Sequence, residues 1–284
     1  MAQAMTAVLQ AAADDAGIDV TDLVGVGVGS PGAVDADAGT VTGAGNLPGW
    51  SGSYPLVSEL GGMLGAPVVL GNDVTVATEA EFRLGAGRPY RSMIGVFCGT
   101  GVGGGLILDG KTWLGRGAAG EFGHLVIKVG GAQCPCGRRG CVEAYAGRGA
   151  MELQARRMVD QGQHSVLFEI MQRKGRARLS SGVFARALDQ QDRVATFLVD
   201  RAVRALGAGI ASAVNLLDLE AVIIGGGLGL RLGERFVESV RTASRRHLFQ
   251  PDRPPAMLLA ELGDLGGAIG AALLVGQGPQ DRGA

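Results

Sequence analysis

The chain has 284 residues, 46% apolar and 19% charged, the composition of a globular protein with a core large enough for one large or two modest domains, and not of a disordered or fibrous one. Its 26 Lys and Arg against 27 Asp and Glu leave a formal charge of −1, so no broad basic surface is available for a nucleic-acid backbone. No cationic start followed by an apolar block marks a secretory signal, and the apolar-rich run from Ala205 to Leu217 falls short of the roughly 18 residues of a membrane span, so the chain reads as cytoplasmic.

In chain order, Met5 to Ala16 repeats apolar positions at helical spacing and stops at Gly17. Leu23 to Val28 alternates Gly with Val as a buried strand running into Gly29-Ser30-Pro31-Gly32, and a helix feeding a strand is an α/β beginning. Tyr54 to Leu64 predicts a helix, Pro67 to Leu70 a strand, Val74 to Leu84 a helix with Asn72-Asp73 at its start, and Ser92 to Phe97 a strand. Gly105 to Leu108 and Lys111 to Leu114 flank Asp109-Gly110, a two-residue hairpin signal. Helical stretches follow at Arg148 to Gly162, Val183 to Leu188 and Asp192 to Leu217. A strand at Val222 to Ile224 ends in Gly225-Gly226-Gly227, and Gly266 to Val275 is a small-residue helix before a tail expected to fray after Gly276.

Three thiols fall within the eight residues Cys134-Pro135-Cys136-Gly137-Arg138-Arg139-Gly140-Cys141, where glycines let the backbone curl around an ion. That clustering points to a tetrahedral metal site rather than a disulfide framework, and His124, ten residues before Cys134, is close enough to complete a Cys3His set. Cys98 lies in an apolar strand and reads as a small buried hydrophobe. Asn72-Asp73, where a strand passes into a helix, is on spacing alone most simply an N-cap. The same junction also puts a carboxylate at the mouth of a cleft, where phosphoryl transfer to a hydroxyl needs a proton acceptor.

Three glycine-rich segments match phosphate-loop patterns by letter. Gly27-x-Gly29-x-x-Gly32 leads into Asp35-Ala36-Asp37, with no helix whose N-terminus faces a pyrophosphate. Gly105 to Thr112 satisfies the Walker A pattern, but its interior is a strand and a hairpin turn, so both matches are set aside. The third, Gly99-Thr100-Gly101-Val102-Gly103-Gly104-Gly105, joins two strands and is either a tight turn or a phosphate hairpin.

The run GEFGHLVIKVGGAQCPCGRRGCVEAYAG closely resembles the signature of the ROK kinases, the group of bacterial glucokinases, fructokinases and N-acetylhexosamine kinases. The resemblance implies a structural zinc held by His124, Cys134, Cys136 and Cys141, and sugar contacts from Asn72, Asp73, Glu121, His124 and Glu143, with Asp73 the catalytic base. It implies that ATP, with its Mg2+, is bound by Gly99, Thr100, Gly101, Gly103 and Gly104 around the phosphates and by Gly225, Gly226 and Gly227 around the adenosine. The implied fold is α/β, two lobes of the ribonuclease H-like type of the actin/hexokinase superfamily with an inserted zinc-binding loop. The lobes are residues 1–90 plus 264–284, and 91–263. The implied function is ATP-dependent phosphorylation of a hexose, glucose to glucose 6-phosphate first among them, with fructose, mannose and N-acetylhexosamines as alternatives. The implied assembly is a homodimer.

Two departures accompany the resemblance. After Asn-Asp the family continues Ala-Asn-Ala-Ala, where this chain has Val74-Thr75-Val76-Ala77. ROK kinases also open with a hairpin carrying Asp-x-Gly-Gly-Thr, and no such run occurs in this sequence, where the match starts at the strand near Val24. The expectation is that residues 1–284 alone hold a sugar but turn over ATP weakly, and that a form carrying the hairpin is active. A non-catalytic or regulatory sugar-binding protein is the second reading, and no residues are left over for the helix-turn-helix of the family's repressors.

Overall fold

The structure, a computed structural model, describes residues 2–43 and 52–276. Helix α1 (Ala2–Ala16) stops where Gly17 takes a φ of 70°, a left-handed conformation that costs glycine nothing. Strand β1 (Val26–Ser30) comes next, followed by the short antiparallel strands β2 (Ala33–Asp35), β3 (Thr40–Thr42) and β4 (Ser53–Tyr54). The first strand begins later than its Val/Gly alternation predicts, with Val24 exposed and outside the ladder. Helix α2 (Leu56–Leu64) likewise starts two residues late, because Tyr54 is taken by β4 and Pro55 stands at the N-cap. Its Leu56, Leu60 and Leu64 recur every four residues and bury one face in a core with Val26, Val28, Val41 and Leu70.

Strand β5 (Val68–Asn72) runs parallel to β1 in register from Val26 against Val68 to Ser30 against Asn72, and helix α3 (Asp73–Leu84) follows it directly. Strands β6 (Met93–Cys98), β7 (Val102–Leu108) and β8 (Lys111–Thr112) form an antiparallel meander. Between β7 and β8, Asp109 and Gly110 both adopt positive φ (52° and 77°), the two-residue hairpin geometry that makes the Walker A match accidental. Helices α4 (Glu143–Ala146), α5 (Arg148–Asp160), α6 (Leu167–Arg173), α7 (Ser181–Asp189) and the 25-residue α8 (Arg193–Leu217) come next. Strand β9 (Ala221–Gly225) then lies parallel to β6, and β10 (Ala256–Leu259) parallel to β9, giving the five-stranded order β10-β9-β6-β7-β8.

Sequence periodicity overlooks α6, β10 and the long helix α9 (Gly226–Arg245), which opens on two glycines and breaks at Gly233 with φ 65°. Glycine lowers helix propensity by about 1 kcal/mol relative to Ala, so a stretch begun and interrupted by glycines reads as loop. The last helix, α10 (Gly266–Val275), returns to the first strand. A Cβ at Gly27 would stand 1.7 Å from the Ala271 carbonyl oxygen, and one at Gly270 would stand 1.9 Å from that of Val76. Only bare backbones let α10 lie against both β1 and α3. The expected frayed tail, residues 277–284, lies outside the described residues. Among the described residues no helix is long and apolar enough to cross a membrane.

Candidate active site

Asn72 ends β5 in an extended conformation, and its Oδ1 accepts from Val74 N (3.0 Å) and Thr75 N (3.1 Å), so Asn72 is the N-cap of α3. Capping uses the amide oxygen, which leaves Nδ2 as the group that a ligand would meet. Asp73 opens the helix, and its Oδ1 accepts from Val74 N at 3.0 Å. Burial pushes its carboxyl above the ordinary value; backbone N–H bonds work the other way, and the charge of Glu121 adds to the rise. The junction therefore divides the two expected roles, capping by Asn72 and a partly desolvated carboxylate on Asp73.

Glu121 and His124 sit on a single 3-10 turn (Phe122–His124) laid across β7. Gly123 makes that approach possible, since a Cβ there would fall 1.9 Å from the Val102 carbonyl oxygen, and Gly120 next to Glu121 takes φ 83°. His124 Nε2 lies 3.8 Å from Glu121 Oε2, while its Nδ1 lies 3.9 Å from Cys134 Sγ. The ring thus faces the carboxylate with one nitrogen and the thiols with the other.

His124, Cys134, Cys136 and Cys141 bring their donor atoms within 4.8 Å of one another, with Cys136 Sγ and Cys141 Sγ 3.8 Å apart. Left-handed Gly137 and Gly140 turn the chain, and Cys134 N and Gly140 N donate to Arg138 O and Ala132 O to close the loop. Tetrahedral zinc with bonds of about 2.3 Å to sulfur separates its ligand atoms by just under 4 Å, so the donor set and its spacing fit that ion. Cys98 is fully buried away from this group, and burial pushes its thiol up to about 12, the inert interior cysteine that its strand predicts.

Glu143, the first residue of α4, accepts from Val102 N through Oε2 (2.9 Å) and lies 3.9 Å from Cys134 Sγ through Oε1. It ties the cysteine loop to the turn Gly99-Thr100-Gly101 between β6 and β7, where a Cβ on Gly101 would come within 2.2 Å of Glu143 Oε2. The other expected glycine loop is next door, because β6 and β9 run parallel with Phe97 opposite Gly225, and both turns leave from the carboxyl ends of their strands. Gly225 itself closes β9, and Gly226 and Gly227 begin α9 instead of forming a free loop. Gly226 has φ 73°, and a Cβ there would meet Cys98 N at 2.6 Å. Beside Gly227 opens a cavity of about 570 Å³ walled by Arg148, Lys174, Arg176, Arg186 and Arg231, with Ser181 and a single acid, Asp264. None of these wall residues other than Gly227 is marked by a sequence motif; they come together from α5, the α6–α7 connection, α7, α9 and the turn before α10.

The chain matches the ROK family over residues 1–278. The chain belongs to the ROK family. A glucokinase from Halalkalibacterium halodurans is 34% identical to this ROK chain over 260 residues, 90% of this chain and 77% of that one. An N-acetylgalactosamine kinase from Shewanella is 33% identical over 259 residues, 88% of this chain and 77% of that one. A crystal structure of a ROK family glucokinase from Streptomyces griseus, in complex with glucose and AMPPNP, superposes with a TM-score of 0.82 at 33% identity, covering 98% of this chain and 89% of that one. The fold of the ROK chain is accordingly the actin/hexokinase-like α/β fold that its sequence predicts.

Proposed function

We propose that this ROK protein is an ATP-dependent hexose kinase that phosphorylates glucose to glucose 6-phosphate, with Asp73 as the base. The observation that carries the reading is the Asp73 carboxylate: half-buried at the start of α3, raised above its ordinary value chiefly by that partial burial and within electrostatic reach of Glu121, it is the proton acceptor that transfer to a sugar hydroxyl needs. The relatives named glucokinase in sequence and in structure support glucose as the sugar, and the N-acetylgalactosamine kinase is the specific reason to weigh N-acetylhexosamines beside it.

In this account Asn72 Nδ2, Glu121, Glu143 and His124 Nε2 hold sugar hydroxyls, and Asp73 accepts the proton of the attacking one and aims its oxygen in line with the γ-phosphate. ATP arrives with Mg2+, which neutralises charge on its phosphates. The Gly99-Thr100-Gly101 turn, whose Gly99 N donates to Gly101 O, grips those phosphates through its remaining amides and the Thr100 hydroxyl, with Gly103 and Gly104 behind it in the ladder of β7 rather than in the turn, and Gly225, Gly226 and Gly227 border the adenosine. A zinc ion in the His124, Cys134, Cys136 and Cys141 cluster would act structurally, fixing the ring so that Nε2 faces the sugar. Residues 1–90 with 264–284 and residues 91–263 form two lobes that close over the substrates and exclude water.

Calorimetric titration with glucose, mannose, fructose and N-acetylhexosamines tests the sugar site without turnover. Glucose is expected to bind tightest, and Glu121→Gln to weaken it by about tenfold, the size of one lost charge-assisted hydrogen bond. Equal binding of glucose by the Gln variant would remove Glu121 from the site.

A further inference from the structure

Arg148, the first residue of α5, reaches in two directions at once: Nη2 donates to Thr100 Oγ1 at 3.0 Å and Nη1 to Ser181 Oγ at 2.9 Å. Thr100 is exposed at the tip of the β6–β7 turn, and Ser181, at the start of α7, lines the cationic cavity together with Arg148 itself. A guanidinium has only N–H donors, so a hydroxyl bonded to it must accept. Each hydroxyl then directs its own proton elsewhere, Ser181 from the cavity wall and Thr100 from the exposed turn that the same guanidinium joins to it.

Attachment of the turn does not require this side chain. Arg148 N already donates to Gly99 O (3.2 Å) and Gly149 N to Thr100 O (3.0 Å), which tie the turn to α5 through backbone alone. Holding the guanidinium in place is costly: its Nε is enclosed without a partner among the described residues. Burial, and after it the neighbouring Arg178, both work against its positive charge. Five cations against one acid in the cavity wall supply the reason for bearing that cost, because an anion entering there relieves it.

We propose that Arg148 is a positioning residue that orients the Thr100 and Ser181 hydroxyls as donors to the phosphate chain of the nucleotide bound in this cavity. The inference rests on the proposed nucleotide site at the Gly99-Thr100-Gly101 turn and at Gly227, which lines this cavity, and adds two residues, Arg148 and Ser181, that no motif marks. It predicts a specific pattern in which the phosphates are felt and the rest of the nucleotide is not.

The test is calorimetric titration of AMPPNP, inorganic tripolyphosphate, adenosine and glucose into the 284-residue protein and into Arg148→Met, Arg148→Lys, Ser181→Ala and Thr100→Val. Arg148→Met is expected to weaken AMPPNP and tripolyphosphate by about tenfold or more while adenosine and glucose stay within about twofold. Arg148→Lys keeps the charge without the fork and is expected to recover only a minor part of the loss. Arg148→Met should also cost less in the Ser181→Ala background than alone, because the two act as a unit. Thr100→Val, at an exposed site, gives the same phosphate-selective loss without risk to folding. Full recovery by Lys, equal weakening of glucose or adenosine, or no phosphate binding by the unsubstituted chain would overturn the proposal. Binding is read without phosphoryl transfer: a chain that shows this pattern and phosphorylates no sugar loses the kinase reading and keeps this one. Sugar phosphorylation with donor affinity indifferent to Arg148 does the reverse.

Discussion

Asp73→Asn lowers turnover by about 10²–10⁴-fold, the range of a lost general base, while glucose affinity changes by no more than a few-fold. The substitution keeps the size of the side chain and an oxygen able to accept from Val74 N, so only the proton acceptor is lost. Stability is expected to move the opposite way. The Asp73 carboxyl is raised in the fold, chiefly by burial, so its neutral form contributes stability that is fully present below its unfolded value and lost as pH rises through the folded one. At neutral pH the ionised group works against the fold, and an uncharged Asn there leaves the melting temperature equal or higher. The acid limb of kcat/KM lies above that of an unperturbed Asp for the same reason, because turnover needs the ionised form. Stopped-flow or coupled turnover with a parallel thermal melt checks both halves, and a variant with near-normal turnover removes Asp73 from the mechanism.

Cys136→Ser empties the cysteine cluster. The purified protein is expected to carry about one zinc per chain and the variant close to none, by elemental analysis, with a melting temperature lower on the order of 10 °C. Cys136 is the exposed member of the four, so its replacement disturbs packing least and isolates the ligand's contribution. Sugar affinity falls as well, because His124 shares its ring between Cys134 and Glu121 and loses its fixed orientation. A chelated, metal-free protein with unchanged melting temperature would count against a structural ion.

The two halves of the fold were not equally legible. Helices with four-residue leucine spacing, such as Leu56, Leu60 and Leu64, and the strand-to-helix step at Asn72-Asp73 stand out because local pattern and tertiary environment agree. The cysteine cluster stands out because its ligands lie within a short stretch of sequence. Helix α9 does not, since its glycines serve close contacts, Gly226 against Cys98 and Gly229 against Ile224, that exist only after folding. The cavity wall is illegible for a related reason: Arg148, Lys174, Arg176, Arg186 and Arg231 come from four separate helices or their connections, and single arginines on helices carry no motif. Asn72 shows the limit from the other side. Its N-cap role was readable from spacing and is realised in the hydrogen bonds, and nothing in that pattern alone distinguishes a cap from a cap that also faces a ligand.

Sugar-dependent ADP release is the most direct test of the kinase reading. A coupled assay is run on residues 1–284 alone and behind a supplied Asp-x-Gly-Gly-Thr hairpin, with glucose, mannose, fructose and the N-acetylhexosamines. Glucose-dependent ADP release is expected in the hairpin-bearing form, with the highest kcat/KM on glucose, and is expected to be lost in Asp73→Asn. No sugar-dependent ADP release from either form on any of these sugars would contradict the kinase reading.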